Sequence, residues 1–269
     1  MKYLVITGLV CMSKLCHGQS ASTLMGARAA GMGYASAVLK DEAALFNNPG
    51  AMAGNKASAF FAQEIRPDMP GANRMAAGIQ LPFKMGVGAF GVFRFGDDLY
   101  SEQSLSAGFS NQFGIASLGF KVNYIQYHAE GFGIKNAFSL DFGGLAQVTP
   151  QISVGAYIVN LTQSEISAGE RLPTRLVAAI GFKLDENFLL ATEIDKDIDY
   201  KAIWKTGFEY TIHKKVFVRS GFSLNPTAIH AGLGAQTRRL KINYALQFST
   251  VLGETHQASA ALQLAKQKK

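Results

Sequence analysis

Few residues in this sequence stand at the spacings that enzyme or nucleotide chemistry requires. The pattern GxGxxG over Gly86–Gly91 matches the glycine fingerprint of dinucleotide sites, which must lie in a turn between a strand and a helix. Here the glycines fall within an alternating, strand-like run and no helical pattern follows, so we interpret them as making room in a packed interior. GxSxG and HExxH do not occur in the sequence. We therefore expect a protein that is not an enzyme.

Metal and cofactor sites are not predicted either. The histidines beyond the N-terminus fall on separate predicted strands or loops and lack the short spacing of metal ligands: His128, His213, His230 and His256. Two acidic clusters, Asp97-Asp98 and Asp195–Asp199, are assigned to loops. These clusters are interpreted either as divalent-cation sites or as solvated loops, and the sequence leaves both interpretations open.

The first eighteen residues have the pattern of a secretory signal peptide. Lys2 precedes an apolar run from Tyr3 to Met12, and small residues stand at the −3 and −1 positions of a cleavage site after Gly18. The run is too short for a spanning helix, which needs roughly 20 apolar residues. A buried N-terminal strand is the alternative. Because both cysteines, Cys11 and Cys16, lie in residues 1–18, the mature chain is predicted to have no disulfide, thiolate metal site or cysteine nucleophile.

Composition indicates a membrane barrel. The net charge of +7 falls to +5 without Lys2 and Lys14, and the basic residues are spread along the chain, so nucleic acid is not a predicted partner. The basic run 266–269 is interpreted as a solvated tail. Charged residues make up only 17%, and no apolar run beyond residue 18 is long enough for a membrane helix. A membrane protein without such helices needs a closed barrel, in which every backbone group is paired.

Alternation of apolar and polar residues runs through residues 57–265. Leu240–Phe248 is the clearest example, with every second residue large and apolar, as a strand requires and a helix does not. Such segments of about ten residues match the length that a tilted strand needs to cross hydrocarbon. Fourteen are predicted, beginning near Ala57, Arg74, Lys84, Ser101, Ile115, Asn136, Gln151, Thr174, Asn187, Ala202, Lys215, Thr227, Arg238 and Gln257. The predicted fold is an all-β, transmembrane antiparallel barrel.

The connections are predicted to alternate in length. Those after odd-numbered strands read as longer, for example Tyr127–Lys135 and Asn160–Pro173, and those after even-numbered strands as tight turns. Since outer-membrane barrels have short periplasmic turns and longer outer loops, both termini are predicted to be periplasmic. The predicted location is the outer membrane of a Gram-negative bacterium.

The phase of the alternation also predicts which face of the barrel the charged residues occupy. A Lys or Arg at the lipid midplane costs roughly 2–4 kcal/mol, so the apolar face must meet lipid and the charges must face the lumen. The predicted lumen-facing charges are Lys121, Asp141, Arg175, Lys183, Glu193, Lys205, Glu209, Arg219 and Lys241. Apolar lumen positions are predicted to be few: Phe90, Val92, Val177, Leu189 and Phe217.

The stretch ahead of the first predicted strand, residues 19–56, is rich in Gly and Ala and carries the most specific motif. The motif residues are Arg28, Gly31, Gly33, Asp41, Glu42, Asn47, Asn48 and Pro49. This pattern resembles the N-terminal signature of the PorV/PorQ family of Bacteroidetes-type outer-membrane proteins, relatives of the FadL fatty-acid transporters. One departure is Pro49-Gly50-Ala51-Met52, where the family usually has Pro-Ala-Gly-Leu.

The resemblance implies a fourteen-stranded barrel in a Bacteroidetes-like bacterium, with residues 19–56 folded into the lumen as a hatch. It also implies a type IX secretion component that binds secreted cargo or a partner outer-membrane subunit. Two alternatives stay open, a FadL-like channel for hydrophobic small molecules and a scaffold barrel. We expect a short helix within Tyr34–Phe46, with Asp41 and Glu42 facing lumen bases such as Lys121 or Lys205, and a turn at Asn47–Gly50.

Overall fold

The computed structural model of this chain describes residues 22–167 and 170–264. The predicted signal peptide (1–18) and the basic tail (266–269) lie outside the described residues. Among the described residues, no helix is both long enough and apolar enough to cross a membrane.

Fourteen antiparallel strands form a closed barrel. Each strand pairs with the barrel strands that precede and follow it in the chain, and the barrel closes where β1 pairs with β16. The barrel strands are β1 (Ser58–Ile65), β2 (Arg74–Phe83), β3 (Gly86–Gly96), β4 (Tyr100–Phe113), β5 (Ala116–Ala129), β6 (Gly133–Gln147), β7 (Ile152–Val159), β10 (Arg175–Lys183), β11 (Phe188–Asp197), β12 (Ile203–Ile212), β13 (Val216–Leu224), β14 (Ala228–Gln236), β15 (Leu240–Ser249) and β16 (Gly253–Gln263). A separate two-stranded sheet, β8 (Glu165–Ser167) with β9 (Glu170–Arg171), lies in the connection between β7 and β10.

The predicted closed barrel of fourteen antiparallel strands is confirmed. Twelve strands begin within two residues of the predicted start. The largest difference is at β16, which begins at Gly253 rather than near Gln257.

The predicted alternation of loop lengths is found only in part. We call the end of the barrel that carries the connections after the odd-numbered predicted strands the long-loop rim, and the opposite end the short-turn rim. Only residues 66–73, 160–174 and 198–202 form connections of five or more residues at the long-loop rim; the other four there, such as 130–132, have three. The connections 97–99 and 130–132 are short because β4, β5 and β6 extend to 14, 14 and 15 residues and include residues that we assigned to loops. The connection 250–252 is short because β16 begins at Gly253.

The outer face of the barrel is mostly apolar. On β14 and β15 the outward residues include Ile229, Leu233 and Phe248, all exposed. Near the long-loop rim a polar row crosses the outer face of β3–β6, where the paired residues are Arg94, Gln103, Gln126 and Asn136. This row lies on the part of the wall where β4–β6 are longest.

The described part of the N-terminal segment, residues 22–56, lies inside the barrel. It contains the helices Ala27–Gly31 and Ala44–Asn47 and the 3-10 helix Pro49–Met52. The predicted short helix within Tyr34–Phe46 is found only at the end of that range, as Ala44–Asn47, and it carries Leu45 and Phe46 but not Val38. Gly33 and Tyr34 both have positive φ, 64° and 58°, which ends the first helical turn and starts an irregular stretch.

The buried apolar core forms between this segment and the inner face of the wall. Its large side chains come from the segment, with Met25, Met32 and Met52 fully buried, and they pack against wall residues such as Val177. The segment therefore supplies a major part of the apolar packing inside the barrel.

Candidate functional site

Glycines of the wall allow the backbone of the N-terminal segment to lie directly against the strands. A Cβ atom on Gly207 of β12 would lie 2.2 Å from the carbonyl oxygen of Met32, and one on Gly155 of β7 would lie 2.3 Å from that of Ala37. These distances are shorter than any van der Waals contact. Further wall glycines in close contact with the segment lie on other strands: Gly119, Gly143, Gly221 and Gly232. The lumen is filled at this level.

Arg28 of the predicted motif joins the segment to the wall. Its guanidinium donates two hydrogen bonds to the Glu209 carboxylate, with Nη2–Oε1 at 2.7 Å and Nε–Oε2 at 2.9 Å. Arg219 also pairs with Glu209, at 2.5 Å, and Asp41 lies 3.4 Å from Arg28. Burial acts to lower the pKa of the Arg28 guanidinium, but Glu209 and Asp41 outweigh it and the pKa stands above its ordinary value.

Asp41 and Glu42 do not face the bases that we expected. Asp41 pairs with Arg28, whereas Glu42 accepts hydrogen bonds from Lys241 of β15 at 2.9 and 3.1 Å. Burial raises the pKa of the Asp41 carboxyl, and Glu42 raises it further, against the opposing effects of Arg28 and Lys241. The expectation of Lys121 and Lys205 is wrong because both lysines already pair with carboxylates of the wall.

The remaining motif residues bind backbone. Asn47 donates to the Met25 carbonyl and accepts from the Met25 amide. Asn48 donates to the carbonyl oxygens of Ala37 and Gly144 and accepts from the Gly50 amide. Asn48 thereby caps the 3-10 helix that starts at Pro49, at the position where we expected a turn.

The motif glycines, Gly31 and Gly33, lie at close approaches to the wall. The position of a Cβ on Gly31 is 3.0 Å from the Cα atom of Gly232, and Gly33 lies beside the backbone of Phe222. Six of the eight motif residues therefore contact the wall, whereas Asp41 and Asn47 pair within the segment.

Most of the predicted lumen charges lie inside the barrel in ion pairs. Lys121 pairs with Asp141 at 2.9 Å, and Lys205 pairs with Glu193 at 2.9 Å and with Asp195 at 2.7 Å. Lys183 differs, because it lies exposed at the end of β10 near the short-turn rim.

Two wall carboxylates have second roles. Glu193 also accepts hydrogen bonds from the backbone amides of Ser36 and Ala37 in the N-terminal segment, at 2.9 and 2.8 Å. Asp195 lies in β11 rather than in a loop, is buried, and pairs with both Arg175 and Lys205. The assignment of Asp195–Asp199 to a loop is therefore wrong for Asp195 and Asp197. In the described part of the chain, no group of His, Cys, Asp and Glu is arranged to hold a metal ion.

One buried cluster was not predicted. Glu64 of β1 pairs with Arg74 of β2 and with Arg66, and it accepts a hydrogen bond from the Tyr34 hydroxyl at 2.9 Å. Gln257 donates to the same carboxylate at 3.0 Å. The inward phase of Ser58, Phe60 and Ala62 on β1 places Glu64 in the lumen, so strand periodicity could have identified it.

The predicted apolar lumen positions separate into two groups. Val177, Leu189 and Phe217 are on inward positions, but Phe90 and Val92 point outward and are exposed. The phase of β3 was misassigned, since Val87 and Phe93 are its buried residues. Val87 and Phe93 therefore take the lumen positions on β3 that we assigned to Phe90 and Val92.

A cavity of about 810 Å³ lies between the N-terminal segment and the long-loop rim. Tyr34 and Phe46 of the segment line it on one side, and residues of the connections after β7 and β15, such as Leu172 and Leu252, line it at the rim. Charged and polar residues of the wall complete the lining, among them Lys121, Asn123, Tyr157, Arg175, Lys205 and His230.

Comparison with solved structures identifies the fold. The monoaromatic hydrocarbon channel CymD has a TM-score of 0.70 over 90% of this chain and 98% of its own, with 12% identity. The toluene transporter TodX of P. putida gives 0.65, 12% identity and coverage of 92% and 100%. A FadL homologue of Pseudomonas aeruginosa gives 0.63, 13% identity and coverage of 91% and 100%.

Sequence comparison adds nothing more specific. No protein-family model matches the chain, and a comparison with curated proteins gives no significant match. The likeness in structure establishes a FadL-like barrel fold, while the narrower resemblance to PorV/PorQ stays a prediction.

Proposed function

We propose that this chain is an outer-membrane channel for small molecules, in which residues 22–56 act as a hatch. The observation that carries the proposal is the lumen itself. A cavity of about 810 Å³ reaches the long-loop rim, and the N-terminal segment closes the barrel below it. A molecule entering from that rim would be held above the segment until the segment moves.

The apolar outer face supports a place in the membrane, and the shared fold with hydrocarbon channels supports a transport role. The three longest connections, 66–73, 160–174 and 198–202, all lie at the long-loop rim, so we place this rim outside the cell. The short-turn rim, with the start of β1 and the end of β16, is then in the periplasm of a Gram-negative bacterium. Membrane lipid is then the partner of the outer face, and a hydrophobic or partly hydrophobic small molecule is the partner of the lumen.

A swelling assay with protein-containing liposomes tests the hatch. Wild-type protein should admit small sugars slowly, because the segment fills the lumen at the level of the wall glycines. Deletion of residues 22–52 should raise the swelling rate several-fold, provided that the variant keeps the heat-dependent gel mobility of a folded barrel. Equal rates for a folded deletion variant and the wild type would refute the hatch.

Because the segment supplies much of the core, the deletion variant is at risk of failing to fold. Glu42→Lys is therefore the second variant for the swelling assay, because it leaves the buried apolar contacts in place. It replaces the ion pair with Lys241 by two like charges at the short-turn rim.

A second candidate is the secretion component that the PorV/PorQ resemblance implies. Exposed apolar residues at the tips of two connections favour it, namely Leu99 and Phe132, the latter 88% exposed. Such tips could bind secreted cargo or a partner subunit. Mass spectrometry of the gently purified protein separates the candidates: a co-purifying translocon subunit or cargo supports secretion, and a bound small molecule without a protein partner supports the channel.

A further inference from the structure

We propose that the lumen cavity selects an uncharged small molecule that has hydrogen-bonding groups on an apolar skeleton. This inference deepens the proposed channel function and rests on it. This ligand differs from the hydrocarbons named for the structurally similar channels CymD and TodX. We expect a different ligand because many polar residues line this cavity.

Two buried wall residues that line the cavity have polar atoms whose hydrogen bonds are not satisfied. The hydroxyl of Tyr157 on β7 is buried and has no hydrogen-bond partner among the described residues. The ring nitrogens of His230 on β14 are buried too, and their polar neighbour among the described residues is the Ala30 backbone, with which they make no hydrogen bond of good geometry. His230 lies edge-on to the Tyr34 ring, 6.2 Å between centroids. Buried polar atoms are nearly always paired, so these atoms indicate where a bound molecule is hydrogen-bonded.

The ion pairs inside the lumen argue against an ionised ligand. The cations Lys121, Arg175 and Lys205 each already bind a carboxylate of the wall, as does Arg74. An anionic ligand would have to displace one of these carboxylates, and a cationic ligand would have to displace a base from Asp141 or Asp195. Either exchange leaves a buried charge without its partner, which is strongly unfavourable. A neutral molecule needs no such exchange.

Apolar side chains provide the remaining contact surface. Leu24 and Phe46 of the N-terminal segment and Ile125, Val159 and Leu172 of the wall and rim line the same cavity. The volume of about 810 Å³ is within the usual range of about 300–1,000 Å³ for pockets that bind drug-sized ligands. The ligand therefore needs an apolar body as well as hydroxyl or carbonyl groups.

Three fluorescent probes with one ring system test the inference: naphthalene, 2-naphthol and 2-naphthoate. Their binding to the full chain in lipid nanodiscs at pH 7 is followed by fluorescence, with empty nanodiscs as the control for partition into lipid. After that correction we expect 2-naphthol to bind at least about tenfold more tightly than naphthalene or 2-naphthoate.

Variants then locate the contact. Tyr157→Phe removes one hydroxyl, and His230→Leu removes both ring nitrogens. Each should weaken 2-naphthol binding by about 2- to 10-fold, the range for one neutral hydrogen bond. Neither should change naphthalene binding by more than about twofold. Tyr210→Phe is the matched control, because Tyr210 is on the outer face and exposed; it should change neither.

The outcomes separate this inference from the channel proposal. If naphthalene binds most tightly, or if both variants bind 2-naphthol as tightly as the wild type does, the ligand does not need hydrogen-bonding groups. The channel would then be one for hydrocarbons. If 2-naphthoate binds most tightly, the proposal that the ligand is uncharged is wrong. Failure of all three probes to bind folded wild-type protein counts against the channel proposal itself.

Discussion

Single residues set the distance between the N-terminal segment and the wall. At Gly207 the nearest atom to an added Cβ is a backbone oxygen, that of Met32, which cannot move away as a side chain can. We predict that Gly207→Ala lowers the free energy of unfolding by about 1–3 kcal/mol, the usual cost of overpacking a core. Denaturant unfolding in lipid vesicles, followed by tryptophan fluorescence, measures the change.

Gly144→Ala is the control for this prediction. Gly144 lies on the outward phase of β6, where an added Cβ would meet the Leu118 side chain at 3.1 Å. That side chain can move, and Ala is slightly favoured over Gly in regular structure, so stability should change by no more than about 1 kcal/mol. Equal destabilisation by both variants would contradict the proposed contact between segment and wall.

At the scale of elements, one ion pair joins the N-terminal segment to β15 near the short-turn rim. Glu42 and Lys241 are partly buried there, in a cleft that also contains Arg238 and Arg239. We predict that Glu42→Lys and Lys241→Glu each raise the liposome swelling rate about fivefold, because like charges favour the displaced segment by about 1 kcal/mol.

The double variant Glu42→Lys with Lys241→Glu restores opposite charges at the same two positions. It should return the swelling rate toward the wild-type value. If the double variant swells as fast as the single variants, the ion pair does not hold the segment, and the other contacts with the wall, such as that of Arg28 with Glu209, hold it without this pair.

The elements differ in how well the sequence predicts them. Period-two alternation is a local signal, so the fourteen strands could be located to within a few residues. The strand ends of β4–β6 could not, because Tyr127 and Lys135 continue the pairing beyond the apolar part of the wall, where the polar pattern resembles a loop. Loop lengths, and the orientation argument that depended on them, were consequently the weakest predictions.

The sequence could not predict which wall residues the N-terminal segment contacts. The motif residues could be identified by type and resemblance, but pairs such as Arg28 with Glu209 join positions 181 residues apart. Only the register of the closed barrel brings such residues together. The same limit applies to Tyr157 and His230, which lie on separate strands and share a cavity only after the barrel closes.

At the scale of the whole molecule, the proposed function requires that the barrel spans a bilayer. The apolar outer face of β7 to β15 and the polar row of Arg94, Gln103, Gln126 and Asn136 on β3–β6 suggest where hydrocarbon ends. A barrel in lipid responds to charge according to depth, whereas a barrel in water responds weakly at any position on its outer face.

Leu233, in the middle of β14, and Leu240, at the first position of β15, test this depth dependence. Both are exposed on the outer face. We predict that Leu233→Arg lowers the free energy of unfolding in lipid vesicles by about 2–4 kcal/mol and Leu240→Arg by about 0–1 kcal/mol. Equal effects at the two positions would mean that hydrocarbon does not surround the middle of the barrel, and both the channel and the secretion candidate would lose their membrane setting.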